Sequence, residues 1–150
     1  MRRGVDTNVL IYAQMPGLPD HVEVRSFLVD QLAHDGVTLV ITPAILHEFV
    51  HVVTDSRRFD PPVSMSEALA VARVYLEHAN VECISLDAQT TVRAFELIER
   101  HRLGRKRIAD TLFAAALLGR GVQELITCNP DDFRIFEGLT LVDPRSARPL

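Results

Sequence analysis

Residues 39–54 read LVITPAILHEFVHVVT, a short β-branched run that passes directly into a longer helical pattern. Leu39 to Thr42 has the composition of a buried strand, and Pro43 is favoured at the first position of a helix. Short apolar runs alternate with helical patterns in the same way along the rest of the chain. This alternation is typical of α/β architecture with a mostly parallel sheet.

The pattern predicts five strands and six helices. The strands are expected at residues 3–5, 39–42, 81–85, 124–127 and 139–142. The helices are expected at residues 7–13, 20–33, 43–54, 65–79, 87–101 and 108–118. Residues 57–64, which include Pro61 and Pro62, are expected to form a loop. Since no segment resembles a linker, we predict a single domain over residues 1–150.

The composition excludes several functional classes. With 150 residues and 47% hydrophobic side chains, the chain is long enough to bury a sizeable core, and disorder is disfavoured. The formal net charge of −4 offers no overall attraction to a polyanion, which argues against a histone-like nucleic-acid binder.

The apolar segments are too short for a membrane span. The longest uninterrupted apolar run, Leu112 to Leu118, is far below the roughly 20 residues that cross a bilayer. Asp6 and Asn8 interrupt what would be the apolar core of a signal peptide, so we expect a cytoplasmic protein. Cys83 and Cys128 lie in separate apolar runs and are expected to be buried free thiols.

Several acidic side chains follow the ends of predicted strands. Asp6 follows the first strand, and Asn129, Asp131 and Asp132 follow the strand that ends at Thr127. Ligands of open α/β sheets bind beyond the carboxyl ends of the strands, so these side chains are expected to converge on one edge.

Glu48 and Asp110 are acids in apolar helices. Burying an isolated carboxylate costs several kcal/mol, so each should have a cation partner or a metal. Taken singly, Asp6 or Asp110 could be a helix cap and Glu48 could pair with an arginine. Taken together, the acids favour a shared site for Mg²⁺ or Mn²⁺, the cations that oxygen-only ligands select. Such a site suits phosphodiester hydrolysis.

Four segments carry a family resemblance. They are DTNVL at 6–10, Glu48 in the helix after a short strand, IAD at 108–110, and TCNPDDF at 127–133. In this order and spacing the chain resembles the PIN-domain ribonucleases, most closely the VapC toxins of bacterial toxin–antitoxin pairs. The resemblance implies a three-layer sandwich with a central sheet flanked by helices. It also implies a Mg²⁺- or Mn²⁺-dependent endoribonuclease, usually a homodimer, held inactive by an antitoxin whose chain lies across the active-site groove.

The resemblance also assigns roles to residues. Asp6, Glu48 and Asp110 correspond to the three main acidic metal ligands. Asn129 stands where many members carry a fourth Asp, and Asp132, or less readily Asp131, could supply the missing charge. The supporting residues implied in this way are Thr7, Asn8 and Thr127.

Two other functions remain open. His47, Glu48 and His51 form an HExxH motif, which in zinc peptidases supplies two ligands and a general base. The longer form of this motif requires Gly at position 54 and His at position 57, where this chain has Thr54 and Arg57. A peptidase would also leave the other acids without a role, so the nuclease is favoured. The third function is a non-catalytic PIN-like scaffold that binds RNA or protein, which the amide at Asn129 keeps plausible.

A basic segment precedes Asp110. Residues 100–107 hold five of the 16 Lys and Arg in the chain. Cations are favoured at a helix C-terminus, which explains Arg100 and Arg102. Arg105, Lys106 and Arg107 are instead expected to hold an RNA backbone. Because aromatic residues make up only 6% of the chain and Trp is absent, no extended base-stacking platform is expected.

Overall fold

A five-stranded parallel sheet forms the centre of the computed structural model, which describes residues 1–146. The strands are β1 (Arg2–Val5), β2 (Thr38–Ile41), β3 (Val81–Cys83), β4 (Glu124–Ile126) and β5 (Thr140–Val142). Their spatial order is β3-β2-β1-β4-β5, and every neighbouring pair is parallel. The chain adds β2 and β3 on one side of β1 and then crosses to add β4 and β5 on the other. The order therefore reverses between β1 and β4, which is where open α/β sheets place their ligands.

Six α-helices within residues 1–146 cover the sheet. They are α1 (Thr7–Gln14), α2 (His21–Ala33), α3 (Pro43–Val53), α4 (Met65–Glu77), α5 (Ala88–His101) and α6 (Ile108–Gly119). Helix α1 packs against α2 and α3, α3 packs against α4, and α5 packs against α6. Right-handed crossovers place α1–α4 on one face of the sheet and α5 and α6 on the other, because the direction of strand addition reverses after β3. The expected three-layer arrangement is confirmed.

Local capping signals explain several helix starts. The Thr42 side chain accepts a 3.4 Å hydrogen bond from the Ile45 amide, directly before Pro43 at the first helical position of α3. Ser64 and Glu67 form a reciprocal capping box at the start of α4. These side chains satisfy amides that have no partner inside the helix, so each helix begins where the sequence supplies an acceptor.

The central strand packs very closely against α6. A Cβ atom added at Gly4 would lie 2.5 Å from a Leu117 methyl carbon and 2.9 Å from the other. Gly4 and Leu117 thus set the distance between the sheet and the α6 layer. Val5 and Phe49 are fully buried in the core that continues on the other face.

The structure corrects the sequence prediction in three details. Each strand and α-helix differs from the predicted one by one or two residues at one end or both. Two 3₁₀ helices, Arg105–Arg107 and Pro130–Asp132, were not predicted. Both cysteines are free, but only Cys128 is buried, because Cys83 lies on the edge strand β3 and is half-exposed. Within residues 1–146, no helix combines the length and apolar character needed to cross a bilayer.

Candidate active site

Asp6 lies where the strand order reverses. It follows β1 directly, and its amide donates a 3.0 Å hydrogen bond to the Ile126 carbonyl at the end of β4. Asp6 takes the N-cap position of α1, yet its carboxylate makes no capping hydrogen bond. The residue is only 7% exposed. A carboxylate in this place is therefore not explained by helix capping.

Two side chains hold the Asp6 carboxylate. The Thr127 hydroxyl donates to Oδ2 at 2.8 Å, and the Asn8 amide nitrogen donates to the same oxygen at 2.7 Å. Thr127 in turn accepts from the Asn129 amide at 3.0 Å, while the Asn8 carbonyl oxygen accepts from the Cys128 amide at 3.0 Å. The same oxygen of Asp6 accepts both side-chain hydrogen bonds. The two donors, Thr127 and Asn8, are in turn hydrogen-bonded to backbone amides that follow β4.

Glu48 reaches the same region from α3. The Thr7 hydroxyl donates a 2.7 Å hydrogen bond to Oε2 of Glu48. The expectation that Glu48 is buried was wrong, because the residue is exposed. Its apolar neighbours Ile45 and Phe49 point into the core on either side, and Glu48 lies at the margin of that buried face.

Asp110, in the first turn of α6, completes a cleft with Asp6 and Glu48. The cleft has a volume of about 60 Å³, and its walls include several apolar side chains. The lining residues that the sequence did not single out include Thr42 and Leu86. Both follow strand ends, which is the signal that could have found them.

The cleft perturbs the ionisation of two acids. Burial raises the pKa of Asp6 to about 7, against the lowering effect of the Thr127 hydrogen bond, and the charges of Asp110 and Glu48 raise it further. Burial also raises the pKa of Asp110 to about 6; the charges of Asp132 and Glu48 add to this and Arg107 opposes it. The three acids thus repel one another across one small volume.

Arg107 lies between two acids of the site. Its Nε is 3.8 Å from Asp110 Oδ2, and its Nη1 is 3.6 Å from Asp132 Oδ1. The sequence predicts Arg105, Lys106 and Arg107 as contacts to an RNA backbone. The structure places Arg107 half-buried beside the carboxylates, whereas Arg105 and Lys106 are exposed.

The loop after β4 contributes unequally. The Asn129 side chain is exposed, and only its backbone amide joins the Asp6 network. Asp131 is exposed and pairs with Arg134 at 3.2 Å. Among the side chains of Asn129, Asp131 and Asp132 in the described structure, only that of Asp132 connects to the cleft, through Arg107.

A divalent cation would find oxygen donors here but no closed ligand set. Among residues 1–146, no three His, Cys, Asp or Glu side chains stand close enough together to form a ready metal site. The donor chemistry nevertheless fits a hard cation, because all three cleft acids offer oxygen and their mutual repulsion would be relieved by positive charge. His47 and His51 are exposed on α3.

The chain matches known proteins over most of its length. The model of the PIN domain family matches residues 5–138. Ribonuclease VapC24 of Mycobacterium tuberculosis is 26% identical over 140 residues, which are 93% of this chain and 94% of that protein. Ribonuclease VapC43 of the same organism is 39% identical over 64 residues, 43% of each chain.

Solved structures share the fold. VapC20 of Mycobacterium tuberculosis, a Sarcin-Ricin loop cleaving toxin, superposes with a TM-score of 0.64 at 18% identity, covering 82% of this chain and 86% of that one. FitAcB from Neisseria gonorrhoeae gives a TM-score of 0.64 at 16% identity, with 97% and 99% covered. These likenesses concern the fold, whereas the family match rests on the sequence itself. The chain belongs to the PIN-domain family.

Proposed function

We propose that this chain is a metal-dependent endoribonuclease and acts as the toxin of a toxin–antitoxin pair. The observation that carries the proposal is the convergence of Asp6, Glu48 and Asp110 on one cleft where the strand order reverses. It is supported by the family match and by two relatives, VapC24 and VapC33, that are named ribonucleases and align over 93% of this chain. Such a toxin would act on RNA in the cytoplasm.

The proposed cofactor is Mg²⁺ or Mn²⁺. Asp6, Glu48 and Asp110 would hold it, and Asp132 is the further candidate ligand. When bound, the cation would polarise a phosphoryl oxygen and lower the pKa of a water molecule. The support in this chain is the all-oxygen donor set, together with the burial and the neighbouring negative charges that raise the pKa of Asp6 and Asp110.

The remaining residues of the site would orient the acids. Thr127 and Asn8 restrict Asp6 through hydrogen bonds to Oδ2, and Thr7 restricts Glu48. Such partners reduce the freedom that a ligand must lose when a cation binds. Asn129 is assigned a backbone role, since its amide holds the Thr127 hydroxyl.

The RNA backbone would be held beside the cleft. Arg105 and Lys106 are exposed in the 3₁₀ helix that leads into α6, the helix of Asp110. The positive charges of these two side chains attract phosphate locally, although the net charge of the chain is −4.

The proposed partners are a cognate antitoxin and a second copy of the chain. The antitoxin is supported by structural neighbours solved as complexes, including a toxin-antitoxin complex from Klebsiella pneumoniae and VapBC2 from Rickettsia felis. The second copy is proposed from the resemblance to the VapC toxins. The zinc-peptidase hypothesis has no comparable support. The family match favours the nuclease, and the Glu48 side chain is engaged by Thr7.

The test is expression of the unaltered chain, of Asp6→Ala and of Asp131→Ala, scoring growth arrest and RNA cleavage. Asp131 is the matched control, because it is an exposed aspartate of the same site region that pairs only with Arg134 among the described residues. We expect arrest and cleavage from the unaltered chain and from Asp131→Ala, and neither from Asp6→Ala. Equal cleavage by all three would reject the proposal, and tight RNA binding without cleavage by any of them would indicate the scaffold.

A further inference from the structure

Arg107 has unusual surroundings for an arginine. Its side chain is 27% exposed, and its Nε and Nη2 atoms are buried without any hydrogen-bond partner among the described residues. A buried N–H donor that is left unpaired is energetically unfavourable. Within residues 1–146, Arg107 is therefore attracted to its surroundings by charge and not by hydrogen-bond geometry.

The attraction comes from two proposed metal ligands. Arg107 is 3.8 Å from Asp110 and 3.6 Å from Asp132, both beyond ordinary hydrogen-bond distance. It also lowers the pKa of Asp110, which burial, Asp132 and Glu48 raise. The guanidinium thus already supplies part of the positive charge that this group of acids requires.

The backbone limits how far Arg107 can be from the acids. It ends the 3₁₀ helix Arg105–Arg107, and its carbonyl oxygen accepts a 2.6 Å hydrogen bond from the Thr111 hydroxyl in α6. Asp110 is three residues further along the same helix start. The main chain therefore stays beside the cleft, while the side chain makes no hydrogen bond to the described part of the chain that it would lose on moving.

We propose that Arg107 is an internal counter-ion that competes with the divalent cation for Asp110 and Asp132, and so sets the metal affinity of the cleft. The inference rests on the proposed function, because it concerns the same acids. A cation that takes the two carboxylates displaces the guanidinium. The unpaired Nε–H and Nη2–H groups are then available for an RNA phosphate oxygen, which suits the fork geometry of arginine.

The competition has a definite sign. Removing a positive charge about 4 Å from two ligands makes the site more negative, so metal binding becomes tighter. If Arg107 merely supported the shape of the site, its loss would weaken metal binding. The direction of the change therefore separates the two roles.

The experiment measures free Mn²⁺ by electron paramagnetic resonance during titration of the metal-stripped full chain at pH 8, without RNA. Arg107→Gln is expected to lower the Kd for Mn²⁺ roughly three- to tenfold. Arg107→Lys keeps the charge and is expected to stay within about twofold of the unaltered chain. Arg105→Gln removes the same charge from an exposed position two residues away and is the control for metal affinity, with little change expected.

Weaker or unchanged Mn²⁺ binding in Arg107→Gln would overturn the proposal, as would an equal tightening in Arg105→Gln. Should Arg107→Gln fail to fold, the unaltered chain provides a second readout, because its Arg107 ¹⁵Nε–H resonance should shift when Mg²⁺ is added. No shift would also overturn the proposal. Neither readout requires cleavage, so a chain that passes both tests but cuts no RNA would refute the nuclease function alone.

Discussion

Thr127, just after β4, donates a 2.8 Å hydrogen bond to Oδ2 of Asp6, which lies 121 positions earlier in the chain. The bond connects the ends of β1 and β4 across the point where the strand order reverses. It favours the ionised carboxylate, since it lowers the pKa of Asp6 while burial raises it. One hydroxyl thus contributes both to the geometry and to the charge of the cleft.

Thr127→Val keeps the shape of this side chain and removes the hydroxyl. The Asn129 amide loses its acceptor and Asp6 loses one donor, so unfolding should become easier by about 1–2 kcal/mol. The pKa of Asp6 should rise further, which would shift the rising limb of the pH–rate profile to higher pH. Urea unfolding and cleavage rates check this, with Thr140→Val on the exposed edge of β5 as the control. A Thr127→Val chain with the same unfolding free energy and the same pH dependence of cleavage as the unaltered chain would contradict the role assigned to Thr127.

Asp6→Asn should stabilise the metal-free chain at high pH. The pKa of Asp6 is raised from 3.8 to about 7 in the folded state. Between about pH 4 and pH 7, the Asp6 carboxyl is therefore mostly ionised in the unfolded chain and mostly protonated in the folded chain. The free energy of unfolding therefore falls as pH rises through this window. Above pH 7, the whole destabilisation caused by burying the ionised Asp6 carboxylate is present. Asn avoids the charge and can still accept from Thr127, so a gain of about 2–4 kcal/mol is expected at pH 8.

The gain of Asp6→Asn should fall below about 1 kcal/mol near pH 4, where Asp6 is protonated in the folded chain and partly protonated in the unfolded chain. Urea unfolding in EDTA at the two pH values measures it, and Asp131→Asn at an exposed position should show no such dependence. If Asp6→Asn were less stable than the unaltered chain at pH 8, the prediction would be wrong. The negative charge of Asp6 would then be compensated by its surroundings in the folded chain.

Gly4→Ala should weaken the packing of α6 on β1. The new Cβ would lie 2.5 Å from a Leu117 methyl carbon, so the helix or the leucine must move, at a cost of about 1–3 kcal/mol. Gly17→Ala is the control, because nothing lies within 4 Å of a Cβ there. Thermal unfolding compares the two, and Gly4→Ala combined with Leu117→Ala should cost less stability than the sum of the two single losses. Equal melting temperatures for both single variants would contradict this account.

Thr7→Val should separate activity from stability. Glu48 is exposed, so losing its 2.7 Å hydrogen bond from Thr7 should change the unfolding free energy by less than about 1 kcal/mol. Cleavage should fall about tenfold or more, because Glu48 is no longer held toward the cleft. Steady-state kinetics beside urea unfolding test this, with Thr91→Val in α5 as the matched substitution. An unchanged kcat would show that Glu48 needs no positioning by Thr7.

Much of the fold could be predicted because its signals are local. Every predicted strand and helix is present, since apolar runs and helical periodicity are repeated strongly along the chain. The two 3₁₀ helices were missed, as three residues are too few to show a period. Because Asp6 comes directly after β1, the sequence also placed it correctly at the carboxyl ends of the parallel strands.

The environment of individual charges could not be predicted in the same way. Glu48 has apolar neighbours in sequence, yet it lies at the margin of the buried face of α3 and is exposed. Arg107 belongs to a basic segment, and its contact with Asp132 arises only when α6 and the loop after β4 come together. Such contacts depend on the tertiary arrangement, which local sequence does not specify.

Cleavage of a defined RNA by the purified chain tests the central claim most directly. The initial rate is measured with Mn²⁺ and with EDTA, for the unaltered chain, Asp110→Asn and Asp131→Asn. The account predicts cleavage only with Mn²⁺, a loss of about 100-fold or more in Asp110→Asn, and a nearly unchanged rate in Asp131→Asn. Cleavage that persists in EDTA, or an Asp110→Asn chain as fast as the parent, would contradict it.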